Sequence, residues 1–137
     1  MAGKWQDEGK QDNLDIYFVG ASRTANSWYL GLYTAPTSQP AESVVLTGLT
    51  EPSGGTYARI NLTDANWTRT GNYVQAIQKT FACSGAAWGN VYGWFLCNVA
   101  SGTAGKLLAV EQFSDGPYNV PDGGSVKVTA KVTQSSG

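Results

Sequence analysis

Short β-rich runs alternate with Gly- and Pro-rich turns along almost the whole chain, at roughly ten-residue spacing. This punctuation constrains the fold most, because breakers so close together leave little room for helices. Ser27–Thr34 (SWYLGLYT) stops before Ala35-Pro36, and 36–40 is a loop. A short apolar run, Val44–Leu49, precedes the turn Glu51–Gly55. Tyr57–Leu62 alternates, with Tyr57, Arg59 and Asn61 on one side and Ala58, Ile60 and Leu62 on the other. Trp67–Arg69 starts another strand before Gly71-Asn72. Tyr73–Cys83 is β-rich, but both its faces are mixed, so its buried side is not readable. Val91–Val99 (VYGWFLCNV) is apolar on both faces, as a central strand covered on both sides should be. Lys106–Phe113 and Tyr118–Val120 follow. In Ser125–Thr133, Val126, Val128, Ala130 and Val132 point one way, and the polar residues between them point the other.

These runs predict an all-β fold, a two-sheet β-sandwich that is jelly-roll-like, with a short N-terminal helix or arm. The 137 residues fit a single domain, with a sandwich over 14–133 and a loose tail over 134–137. Residues 1–13 are an arm or the start of a helix. Over 6–18, Leu14, Tyr17 and Phe18 share one helical face, and Gly9 weakens the front of that helix by about 1 kcal/mol.

Composition narrows the functional classes. Charged residues are 14% of the chain, against about a quarter in ordinary domains. Such a surface suits a protein packed against neighbours. The net charge of −1 and the absence of a basic stripe argue against nucleic acid. The opening segment has no apolar core and no run is long enough to span a bilayer, so synthesis in the cytoplasm and no membrane partner are expected.

No catalytic apparatus is visible. The chain has no histidine, which removes the commonest general base and zinc ligand, and with them any Ser-His-Asp or Cys-His system. Cys83 and Cys97 lack metal-site spacing and read as buried thiols, with a disulfide as the alternative. Neither a cofactor nor a metal is expected; Asp115 and Asp122 on neighbouring loops are the nearest approach to a calcium pair. Among the ten acids, Glu111 alone lies inside a strand, where a carboxylate should face solvent or a partner. It is the first candidate if a carboxylate-dependent hydrolase were present.

The surplus is aromatic: five Trp, seven Tyr and four Phe. Trp94 and Phe95 fill core positions. Trp and Tyr with Arg also anchor protein interfaces, and a flat ring packs against the face of a sugar. Trp5, in the polar N-terminal segment, and Trp88, in a loop, are expected outside the core. Together with Tyr57, Arg59 and Glu111 they form the expected interface set.

Several motifs resemble a family of small virion proteins of tailed bacteriophages. They are Trp5-Gln-Asp-Glu-Gly9 with Leu14-Asp-Ile16, Trp28–Thr34, Leu49–Arg59, Trp67, Trp88-Gly-Asn90, Ser114–Tyr118 and Asp122–Val128. The resemblance implies a non-enzymatic structural protein of the virion, similar to capsid cement or decoration proteins. It implies a homotrimer on the capsid surface, with the major capsid protein as partner, that stabilises the assembled head. A tail component or an adhesin-like, glycan-binding module is the alternative.

Overall fold

The computed structural model describes residues 4–22 and 27–134; the first three residues and the last three lie outside it. The chain opens with β1 (Lys4–Trp5), α1 (Asp7–Leu14) and a π-turn (Asp15–Val19). Then follow β2 (Ser27–Tyr33), β3 (Ile60–Thr63), β4 (Trp67–Thr70), β5 (Tyr73–Ala76) and β6 (Lys79–Ala82). The last strands are β7 (Gly89–Val91), β8 (Gly93–Cys97), β9 (Leu107–Gln112), β10 (Tyr118–Val120), β11 (Ser125–Val128) and β12 (Lys131–Thr133).

The strands form a sandwich. One layer is a five-stranded antiparallel sheet in the order β1-β9-β8-β2-β3. The other consists of three smaller ladders, β4-β5-β12, β6-β11 and β7-β10. Early and late strands interleave, as in Greek-key sandwiches. Leu30, Leu32, Trp94, Leu96 and Ala109 of the first layer meet Phe81, Val91, Val126, Val128 and Val132 of the second. On the outer face of the five-stranded sheet lies a second core. There Tyr33, Phe95, Cys97, Leu107 and Val110 are capped by Leu46 and Leu49, around the 3-10 turn Leu46–Gly48. Every residue of β8 is buried, because its alternate side chains enter the two cores.

The ambiguity of Tyr73–Cys83 has a geometric cause. Ala76 is bonded opposite Ala130, and Lys79 pairs with Val128. Ile77 and Gln78 therefore stand together opposite Thr129, which is a β-bulge. The bulge reverses the inward parity, so Ala76 is buried before it, and Phe81 and Cys83 after it. The partner segment has no extra residue, and Val126, Val128, Ala130 and Val132 all stay inside.

The N-terminal segment, expected as an arm or the start of a helix, is a short strand and a helix pinned to the sheet. β1 pairs with β9, and the Gln6 amide continues the ladder by donating to the Leu108 carbonyl at 2.9 Å. The Gln6 side chain donates to the carbonyls of Ala41 (2.8 Å) and Val44 (2.9 Å). Glu8 accepts from the Leu107 amide at 3.2 Å, and Lys106 reaches Asp12 at 3.3 Å. Gly9, weakening on helical propensity alone, is required by contact: a Cβ there would sit 2.5 Å from the Leu108 carbonyl oxygen.

Two glycines admit aromatic rings into the outer core. Gly31 is paired with Phe95 across β2 and β8, and its missing Cβ would lie 2.3 Å from the Phe95 ring. Gly93 is paired with Tyr33, and a Cβ there would lie 2.1 Å from the Glu111 carbonyl. Gly31→Ala is expected to cost about 1–3 kcal/mol through overpacking, read by urea unfolding. Wild-type stability in that variant would contradict this packing.

Candidate functional site

Four of the five expected interface residues are turned into the protein. Trp88 is 7% exposed, and its indole N–H donates to the Gly54 carbonyl at 2.9 Å. Its ring meets Tyr57 edge-on at 5.6 Å, and Tyr57 stacks on Phe81 at 6.2 Å. The expectation of Trp88 outside the core is therefore corrected: the loop folds back and the ring completes the inner core. The Tyr57 hydroxyl donates to Glu51 at 2.5 Å and accepts from the Leu32 amide at 3.0 Å. Burial, then the Glu51 carboxylate, push the Tyr57 phenol far above its usual range, so it stays a donor.

Arg59 binds the loops together. Its guanidinium pairs with Glu51 and donates to the carbonyls of Val99 (2.9 Å) and Gly102 (2.7 Å). It also lies over the Phe95 ring at 5.3 Å. The Arg59 side chain is 2% exposed, so this is a structural ion pair rather than a surface anchor. Arg59→Ala leaves Glu51 without its cation and is expected to cost about 3 kcal/mol.

Glu111 faces neither solvent nor a cleft. It is 7% exposed, in register with Trp94, and accepts a hydrogen bond from that side chain. The side-chain charge acting on it is that of Lys131, not a second carboxylate of the kind a glycosidase needs. Burial raises its carboxyl above the usual range. The folded chain then holds the proton more tightly than the unfolded one, so stability falls as pH rises from the ordinary carboxylate value through the raised one. Glu111→Gln removes that loss. Its stability relative to wild type is expected to improve between about pH 4 and pH 7, measured by urea unfolding at both; a pH-independent difference would contradict this.

Asp122 accepts from the Gly85 amide at 2.9 Å, and Asp115 accepts from the Tyr118 hydroxyl. The two acids thus serve turns. Among the described residues no group of three His, Cys, Asp or Glu is arranged to hold a metal. Cys83 and Cys97 are free, buried thiols, and burial pushes Cys97 up.

Two surface features stand out instead. The first is a cleft at the end of the sandwich where β1 meets β12. Trp5 is half-buried there, and its indole N–H donates to the Thr133 carbonyl at 3.2 Å. One lobe, of 260 Å³, is lined by Trp5, Trp28, Asp64, Trp67, Val74 and Val132, among others. A second lobe, of 430 Å³, shares Trp5, Val74 and Val132 and adds Arg69, Asn72, Tyr73 and Gln134. Trp5 belonged to the expected set; Trp28 and Trp67 did not, since nothing in their spacing brings β2 and β4 together.

The second feature is convex. Leu14, Tyr17, Phe18 and Val19 are 55%, 78%, 81% and 76% exposed. The i, i+3, i+4 face expected for the helix exists, but it points to solvent while Gly9 and Asp12 face the protein. Gly20, with φ of +81°, ends the π-turn.

No curated protein matches the chain. A protein-family model described as Podophage GP4 fiber I protein gp80 matches residues 5–135. That span takes in both surface features and every strand but the first residue of β1, and the chain belongs to this podophage fibre I protein family.

Proposed function

We propose that the protein is a structural subunit of the podophage fibre, acting through contact area rather than catalysis. Membership of a phage fibre family makes it a virion structural protein, and that membership is the observation that carries the reading. The family description favours a fibre over the capsid surface, so the cement role gains no support from it. The low charge and the aromatic surplus fit either place.

The contact surface in this reading is the convex face of Leu14, Tyr17, Phe18 and Val19. Apolar side chains exposed together on one short segment suit burial against another subunit. The helix that leads into this segment is anchored on β9 by the Gln6 amide and Glu8, and on Lys106 by Asp12. Self-association, as a homotrimer, belongs to the same proposal. The major capsid protein is the partner only if the chain sits on the head.

Because Phe18 is exposed, Phe18→Asp is expected to change folding stability by less than about 0.5 kcal/mol. The same substitution is expected to remove the protein from purified particles when it replaces the wild-type copy. Incorporation at the wild-type level, scored by quantitative immunoblot, would overturn the assignment of this face.

A further inference from the structure

We propose that the cleft between Trp5, Trp28 and Trp67 is a carbohydrate-binding site for an oligosaccharide of pyranose rings. Three tryptophans from three strands line one lobe, Trp5 from β1, Trp28 from β2 and Trp67 from β4, while Tyr73 of β5 lines the other, with the Lys131 ammonium 4.2 Å from its ring centre. All four are half-buried. Trp5, Trp28 and Trp67 pack one side against the inner core and leave the other on a shared concavity, which scattered surface rings would not do. A flat indole offers a negatively polarised face to the C–H groups on the face of a pyranose ring. At the same time it excludes water from them.

The polar groups beside the rings complete the chemistry. Arg69 is exposed and donates one N–H to the Gly71 carbonyl at 3.0 Å, which leaves further guanidinium donors toward the cleft rim. The side-chain amides of Asn72 and Gln134 have no hydrogen-bond partner among the described residues, and neither have the indole N–H groups of Trp28 and Trp67. Water-accessible donors and acceptors beside flat rings match a ligand with hydroxyls at its edges and C–H groups on its faces.

Size and charge narrow the ligand class. The two lobes, 430 and 260 Å³, meet at Trp5 and fall near the lower part of the ~300–1,000 Å³ range of small-ligand sites. A concave site of this size does not suit a protein partner, which needs a broad surface such as the convex helix face. A nucleic acid is disfavoured by the single uncommitted Arg69 and the net charge of −1. The site goes beyond the fibre reading and is read on the isolated chain, so the two succeed or fail separately.

The test is binding of the purified full-length protein to an array of bacterial surface polysaccharides, followed by calorimetric titration with the oligosaccharide that binds. Binding to at least one polysaccharide is expected. Arg69→Ala is expected to weaken it about tenfold or more without lowering the melting temperature. Trp67→Ala should abolish it, Trp67→Phe should restore part of it, and Phe18→Asp should leave it unchanged. Silence across the array overturns the proposal, and so does binding that survives both Arg69→Ala and Trp67→Ala. If Trp67→Ala does not fold, Arg69→Ala and Trp67→Phe decide.

Discussion

The Phe95 ring lies between two layers of contact on which much of the molecule depends. Below it, Gly31 has no Cβ and lets the ring approach the neighbouring strand. Above it sits the Arg59 guanidinium, which also gathers Glu51, Val99 and Gly102. The same strand sends Trp94 and Leu96 into the inner core. A single five-residue strand thus couples the sandwich interior to the loops over its outer face. Deleting such a buried contact opens a cavity that close-packed neighbours refill only partly. Glu51, Tyr57, Trp88 and Phe81 extend the coupling, through a hydroxyl and two ring contacts, from the outer loops to the second layer.

What was legible in the sequence follows from what has a period. The last strands read correctly because Val126, Val128, Ala130 and Val132 keep period two without interruption. β8 read correctly because a strand covered on both faces needs no alternation. Tyr73–Cys83 resisted because its bulge switches parity midway, and a bulge has no local signature in Ala-Ile-Gln-Lys. The helix was visible, but its orientation was not. Gly9 looked like a defect, yet it is the residue that lets the helix lie against Leu108.

The functional residues were harder to place, for a related reason. Residue type announces that Trp88, Tyr57 and Arg59 can anchor something; it does not say whether the partner is another protein or this one. Here their partners are internal: Gly54, Glu51, Leu32, Val99 and Gly102. Glu111 is likewise held between the layers rather than offered to solvent. The cleft depends on tertiary pairing. Trp5 reaches it through β1–β9 pairing, Trp28 through β2–β3 and Trp67 through β4–β5, so no short stretch of sequence contains it.

Two surfaces of opposite shape are left, and each suits a different kind of contact. The convex helix face fits another subunit, and the concave aromatic cleft fits a small polar ligand. Cryo-EM of intact particles tests the central claim most directly, by locating the chain and counting its copies. The account predicts density in the fibre at low copy number, with the Leu14–Val19 face buried against a neighbouring subunit. A regular lattice of copies over the capsid shell would contradict it.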